Sequence, residues 1–343
     1  MALLWVDGFD YYGNTVLSGV NPNIILDMKY PTRNGTSNML VQSPRVGGGH
    51  SLRNYNNQSW IDPGALTTDR TTILGLAFKI SEDASDHYLF GIVDVDNHGT
   101  KLHMTPAGEF AVFLNEDVAY TTSGLGLVKN TWYYMELKVY VHSTAGTIEL
   151  RIDGDTVLTE TGVNTKTGSN DYNSEFSLGG HYMYCHADYD DLYFLDGTGS
   201  TNNDFLGIVR VVSILPNAAG DSTQFTPSVG DNYSCVNEEV TSGDTYVTSA
   251  TSGNLDLYNY TDLSGITTGI LGIQINTDLG LTDGTPFGLI TECKSNGVTS
   301  DDSAQTVSGS WYTKKRVMQL NPDGSVAWTP TTINAAQFGI KVG

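Results

Sequence analysis

A chain of 343 residues is long enough for one large domain or two of ordinary size, each with a substantial core. Its 38 acidic residues against 17 lysines and arginines give a formal net charge of -21. No cation-rich surface is therefore at hand to displace phosphate counterions, and a nucleic-acid-coating role is excluded. No run approaches the roughly 20 apolar residues that cross a bilayer as a helix, so membrane insertion by that route is not expected.

The 38 glycines and 19 tyrosines, with abundant threonine, serine and asparagine, favour strands and tight turns, and an all-β fold is expected. Cys185, Cys235 and Cys293 are odd in number and widely spaced, without a CxxC or Cys/His cluster. They imply neither a disulfide framework nor a zinc site and read as buried or indifferent thiols.

In chain order, "MALLWVDGFD" meets an aspartate at position 7 and has no basic stretch before its short apolar run, which argues against a signal peptide. The run "RVGGGHSLRN" (45–54) follows no Rossmann-like strand and lacks the Lys-Ser/Thr end of a phosphate loop, so it reads as a turn. "TTILGLAFKI" (71–80), "HYLFGIVDVDN" (87–97) and "KLHMTPAGEFAVFLN" (101–115) are short alternating runs fenced by turn residues. In the second of these, Asp94 and Asp96 share a strand face, with Asn97 and His98 in the following turn, a weak cation candidate set against a hydrated acidic loop.

Over 131–160, Tyr133, Met135, Leu137, Val139 and Val141 alternate with Trp132, Tyr134, Glu136, Lys138, Tyr140 and His142. A partner strand with Ile148, Leu150 and Ile152 on one face follows the turn "STAG", giving an antiparallel hairpin. Glu136, Lys138, Glu149 and Arg151 then read as ion pairs on its solvated face. "SEFSLGGHYMYC" (174–185) leads into "ADYDDLYFLDGTG" (187–199), where strict alternation puts Asp190, Leu192, Phe194 and Asp196 on one face and Tyr189, Asp191, Tyr193 and Leu195 on the other. Leu192 and Phe194 are the expected core residues there.

"DGTGSTNNDF" (196–205) is linker-like, and "FLGIVRVVSILP" (205–216) reads as a terminal strand of one unit or the first of the next. The expected domains are 1–215 and 216–343. Short strands between turns continue to the end, as in "NLDLYNYTDL", "FGLITECKS" and "AAQFGIKVG", giving a second, smaller β-sandwich or jelly roll.

The set "LLWVDGFDYYG" (3–13), "NTWYYMELKVYV" (130–141), "GTIELRIDG" (146–154) and "DDLYFLDGTG" (190–199) resembles the concanavalin A-like lectin/glucanase domains, in particular laminin-G-like versions in tailed-bacteriophage structural proteins. The stretch 200–238 and the ending "WTPTTINAAQFGIKVG" (328–343) resemble the phage proteins more specifically. The resemblance implies a jelly-roll β-sandwich with Asp7, Gly8 and Phe9 near the returning Asp190, Asp191, Leu192 and Tyr193. It further implies a noncatalytic virion building block of head or tail whose partners are other copies of itself and virion structural proteins.

The alternative is a glycan-binding adhesin or receptor-binding tail protein that meets a host-surface glycan. Its test residues are Trp132, Tyr134, Tyr140, Tyr182, Tyr184, His186 and Asp188, which combine aromatic platforms with hydrogen-bonding groups. No cofactor is required, and the small-ligand alternative is calcium at Asp188, Asp190, Asp191 and Asp196. A glucanase-type E-x-D-x-E strand and a G-x-S-x-G elbow are both absent, so an enzyme is not expected.

Overall fold

The computed structural model describes residues 2–12, 26, 28–34, 39–54, 59–81, 87–114, 116–180, 186–239, 241, 243–266, 269–281, 287–307 and 311–343. Among these the chain is almost entirely strand, paired antiparallel, and it divides into two compact units, residues 1–212 and 213–343.

The first unit contains β1 (Leu3–Asp7), β2 (Thr32–Asn34), β3 (Met39–Gln42), β4 (Ser51–Asn54), β5 (Ser59–Asp62), β6 (Thr71–Ile80), β7 (His87–Val93) and β8 (Gly99–Met104). These are followed by β9 (Phe110–Leu114), β10 (Asp117–Thr121), β11 (Trp132–Tyr140), β12 (Gly146–Ile152), β13 (Asp155–Val163), β14 (Glu175–Gly180) and β15 (Ala187–Asp196). An eight-stranded sheet runs β13-β12-β11-β6-β15-β4-β3 with β1 paired to β15, and a seven-stranded sheet runs β10-β9-β8-β7-β14-β5-β2.

The hairpin over 131–160 forms because its two alternating patterns are in phase. Met135 faces Ile152, Leu137 faces Leu150 and Val139 faces Ile148, so all six side chains leave water on the same side. The two large sheets meet through an aromatic layer: Phe78 of β6 lies 5.5 Å from Phe90 of β7 and 5.7 Å from Phe110 of β9. Phe194 of β15 lies 5.5 Å from Phe176 of β14, and the Tyr189 hydroxyl donates to the Leu89 carbonyl at 2.8 Å. Edge-on ring contacts of this kind add to the large area that each ring removes from water.

Strand β15 departs from strict alternation. All ten of its residues are buried, and its register against β6 slips between Asp190 and Tyr193, where Asp191 takes φ 51°. This bulge reverses the phase: Tyr189 points at the other sheet before it, Phe194 after it, and Tyr193 turns to the outer face. Asp191 thus joins Asp190 beside Arg45 on the outer side. The Tyr193 ring lies over Gly75, its cross-strand partner, where an added Cβ would sit 2.1 Å from the ring, so β6 carries a glycine in mid-strand.

The outer face of the eight-stranded sheet is not solvated as expected. Glu136 is 1% exposed, accepting from the Tyr193 hydroxyl and from the Gly207 N–H at 2.8 Å. The cover is the segment from Asn203 to Val212, which forms no strand; its donors meet side chains rather than a neighbouring backbone. The Leu206 N–H donates to Tyr193 Oη at 3.2 Å and the Val211 N–H to Asp191 Oδ1 at 2.7 Å, while Arg45 Nη2 donates to the Val209 carbonyl at 2.5 Å. Of the expected ion pairs, Glu149 and Arg151 do join at 2.8 Å, but Lys138 turns to Asp204 at 3.0 Å and Arg151 lies 3.9 Å from the Phe205 ring centroid.

In the second unit the strands are β16 (Pro216–Thr223), β17 (Thr226–Pro227), β18 (Val247–Thr248), β19 (Leu255–Tyr260), β20 (Ile273–Leu279) and β21 (Phe287–Ser295). They continue as β22 (Val298–Asp301), β23 (Gln305–Val307), β24 (Tyr312–Met318), β25 (Leu320–Asn321), β26 (Val326–Ala327) and β27 (Gln337–Val342). A six-stranded sheet, β16-β19-β27-β21-β22 with β23 on β21, is faced by the two-stranded ribbon β20-β24. One side of the ribbon packs inward: Ile273, Ile275 and Met318 join Cys293, Trp328 and Phe338, and Leu279 and Tyr312 join Leu289 and Val307.

Replacing Glu136 by alanine leaves the Gly207 N–H and the Tyr193 hydroxyl without their acceptor in a buried place. A loss of about 2–4 kcal/mol in urea unfolding is expected, with new protease cleavage between residues 203 and 212.

Candidate functional site

The four aspartates of β15 are structural anchors. Asp188, fully buried, is gripped by Arg53, whose Nη2 lies 2.9 Å from Oδ2, and by Lys79 at 2.8 Å. Asp190 accepts from the Arg45 and Asp191 N–H groups at 2.7 and 2.8 Å, and burial, followed by the charge of Asp191, pushes its carboxyl up to about 8. Asp191 holds Arg45 Nε at 2.7 Å; its pKa is also raised by burial, against the pull of the Val211 N–H and the guanidinium. Asp196 accepts from Thr67 at 2.9 Å and from the Thr198 N–H at 3.0 Å. The four do not converge on one point, and their oxygens are already occupied by cations and donors, so the expected calcium set is not assembled.

Among the described residues the carboxylate-rich group that does converge is Asp94, Asp96 and His98, with one ligand atom of each within 4.8 Å of the others. It stands at the β7–β8 turn and is capable of metal coordination. Asp94 shapes that turn: Oδ1 accepts from the Asp96 and His98 N–H groups at 3.0 and 2.9 Å, and Oδ2 from Asn170 Nδ2 at 2.9 Å. Calcium prefers six to eight oxygens, so an imidazole among three donors is not its chemistry.

The aromatic test residues are dispersed. Trp132 is half-buried, with Lys79 Nζ 4.7 Å from its ring centroid. Tyr134 is buried and donates to the Asp191 carbonyl at 3.0 Å, and Tyr140 is half-buried beside His142. Eight strand positions, roughly 26 Å, separate Trp132 from Tyr140. His186 is half-buried at the start of β15, while Tyr182 and Tyr184 lie outside the described residues.

A denser group stands on the outer face of the seven-stranded sheet. Because Phe90, Phe110 and Phe176 point inward, their strand neighbours point out. Register then sets Phe113 of β9 beside Lys101 of β8, Lys101 beside Gly91 of β7, and Gly91 beside Ser177 of β14, and the next step of the ladder brings Asp62 of β5. Above this row His103 stacks on Phe113 with ring centroids 3.8 Å apart, and Tyr88 lies 5.7 Å from His103 with its hydroxyl over Gly91.

Lys101 pairs with Glu116 at 2.6 Å and sits 5.8 Å from the Tyr88 ring. Glu175, outward on β14, is pushed up to about 8 by burial and by the nearby charges of Asp62 and Asp94, so at neutral pH it carries a proton and can donate. Burial likewise raises the Tyr88 phenol above its ordinary value. The row joins rings, a cation, a carboxylate and a carboxylic acid on one face; Phe113 and His103 are half-buried, and Tyr88, Lys101, Ser177, Asp62 and Glu175 are buried.

Part of this was open to sequence reasoning: "KLHM", "FAVFL" and "EFSL" each put these side chains on the face opposite their apolar ones. The strand order β9-β8-β7-β14-β5, which brings Glu175 and Asp62 to the others, was not.

No family model matches the sequence, and no curated protein matches it. Among solved structures, the alginate lyase Aly36B is similar at 14% identity over 55% of this chain and 95% of that chain, with a TM-score of 0.41. Domain 4 of AbnA, an extracellular arabinanase from Geobacillus stearothermophilus, is similar at 15% identity over 57% of this chain and 93% of that one, with a TM-score of 0.37. A sialidase of Trypanosoma rangeli is similar at 12% identity over 46% and 27%, with a TM-score of 0.34.

These are carbohydrate-active enzymes or their domains, not the phage structural proteins expected from the sequence, and that expected membership is withdrawn. The expectation of a noncatalytic chain is not carried forward either: Asp94, Asp96 and His98 form a cluster capable of metal coordination. No helix among the described residues is long and apolar enough to cross a membrane.

The raised Glu175 pKa has a definite sign. The folded state keeps a proton that the unfolded state has released, so stability from this group falls as pH rises from the ordinary carboxyl value to about 8. Glu175→Gln is therefore expected to be more stable than wild type at pH 9, by ~1–3 kcal/mol after solvent screening, and level with it at pH 4, as read from urea midpoints.

Proposed function

We propose that this chain is a glycan-interacting protein that lays a saccharide chain across the outer face of the seven-stranded sheet. One observation carries the reading: the Phe113–His103 ring stack stands in register with Lys101, Tyr88 and Ser177, with Asp62 at the next step of the ladder and Glu175 two positions along, on a single sheet face. A pyranose offers an apolar C–H face and a rim of hydroxyls that both donate and accept. The rings cover the first, and an ammonium, a carboxylate and a protonated carboxyl serve the second. Adjacent strands, about 4.8 Å apart, present fresh side chains along a ligand that runs across them.

In the same reading the two large sheets form a concanavalin A-like jelly-roll sandwich over residues 1–215, and residues 216–343 a smaller β-sandwich. The shared aromatic layer supports the first assignment, and the inward-packed β20-β24 ribbon supports the second.

Affinity electrophoresis in gels containing neutral and anionic polysaccharides tests the reading. At least one polymer is expected to retard the wild type, with Phe113→Ala weakening retardation about tenfold at unchanged melting temperature and Trp132→Ala leaving it intact. Retardation that survives Phe113→Ala but disappears in Trp132→Ala would place binding on the other sheet. Chain shortening of a retarded polymer, followed in parallel, would show that binding is accompanied by cleavage.

A further inference from the structure

Beyond the first unit, the geometry points to a separate saccharide platform on the second: we propose that Trp311, seated on Gly280 at one end of the β20-β24 ribbon, stacks against a neutral hexopyranose whose rim hydroxyls reach Asp278. Of the five tryptophans in the sequence, Trp5 and Trp328 are buried and Trp60 and Trp132 half-buried, whereas Trp311 is 45% exposed. A single exposed ring is unremarkable by itself. The way this ring is held, and what stands next to it, make the case.

In the ribbon Leu279 faces Tyr312 and Asp278 faces Thr313, so one further step sets Gly280 opposite Trp311. A Cβ built on Gly280 would lie 3.0 to 3.3 Å from Cδ2, Cε2 and Cγ of the indole, which means the ring rests against the glycine backbone. A Cβ built on Gly243, which has φ 75°, would lie 3.9 Å from Cζ2, so this glycine also borders the indole. A flat ring supported from beneath and open above loses little side-chain freedom when a ligand stacks on it.

Alternation assigns the neighbours. Ile273, Ile275 and Leu279, with Tyr312 and Met318, pack inward, so Trp311 shares the opposite face with Thr313, Asp278, Asn276 and Lys315, the cross-strand partner of Asn276. The next rung, about 7 Å from the ring, is Asp278, whose Oδ1 accepts from Thr313 Oγ1 at 2.6 Å while Oδ2 accepts from Thr241. These bonds fix the carboxylate and leave each oxygen a second lone-pair site for a ligand hydroxyl. Asn276, exposed one rung further on, already accepts from Gln274 at 2.8 Å and continues the polar row.

The ligand class follows from shape and charge. A hexopyranose with mainly equatorial substituents presents the flat C–H face an indole can cover. This face carries one carboxylate, Asp278, and one ammonium, Lys315, on a chain of net charge -21; it holds no surplus of cations for a polyuronate, so a neutral sugar fits.

The test uses the full-length protein in gels containing hydroxyethyl cellulose, a β-1,3-glucan or a galactomannan, with polygalacturonate as the anionic comparator. At least one neutral polymer is expected to retard the wild type; Trp311→Ala should raise the polymer concentration for half-retardation about tenfold and Asp278→Asn a few-fold, with Trp311→Phe between wild type and Trp311→Ala. Should Trp311→Ala lower the melting temperature, oxidation of Trp311 in wild type, followed by peptide mass spectrometry, provides a second readout and is expected to slow when that polymer is added. Retardation by polygalacturonate alone, no retardation by any neutral polymer, or no protection of Trp311 would overturn the proposal. So would retardation that Phe113→Ala abolishes and Trp311→Ala leaves untouched, an outcome that keeps the first-unit reading and removes this one.

Discussion

The first unit depends on satisfying carboxylates inside a strand that is buried on both faces. Strand β15 lies between β6 and β4, carries four aspartates and has no exposed residue. Each charge left unpaired there would cost several kcal/mol, comparable with the whole stability margin of a domain. The protein answers with Arg53 and Lys79 on Asp188, Arg45 on Asp191, and backbone or hydroxyl donors on Asp190 and Asp196. The bulge at Asp191 turns two consecutive carboxylates to the side where those donors are.

That arrangement requires a cover. The Asn203–Val212 segment supplies N–H groups to Glu136, Tyr193 and Asp191, and with Phe205 beneath Arg151 it shields the middle of the eight-stranded sheet from water. The outer side of that sheet is thereby committed to internal bonding around Tyr134 and Glu136. On the seven-stranded sheet the half-buried His103–Phe113 stack stands beside Lys101, Tyr88, Ser177 and Asp62, which are themselves buried, with the Tyr88 hydroxyl filling the space over Gly91.

The second unit uses the same economy at smaller scale. Its ribbon commits one side, with Met318, to Cys293, Trp328 and Phe338 and leaves the other to Trp311 and a row of polar groups. Two buried charged groups of the unit are internally paired: Lys314 donates to Asp302 and to the Leu289 and Ser303 carbonyls, and Asp256 receives Asn232, Tyr258 and the Phe225 N–H.

Local alternation was enough to establish an antiparallel all-β chain, to place Leu137, Val139, Ile148 and Leu150 in the core, and to frame the 131–160 hairpin, because a period of two is a property of the strand itself. It misjudged Glu136, since which molecules cover a strand's polar face is settled by a segment some seventy residues later. It also misjudged the β15 aspartates: one residue in a left-handed conformation reverses every side chain that follows, and their cationic partners come from β4, β6 and the 45–49 turn. The convergence of Asp62, Tyr88, Lys101, His103, Phe113 and Glu175 belongs wholly to strand order. Hydrogen-bond pairing between strands distant in sequence is chosen by the burial of the whole sheet, and no short window of residues records that choice.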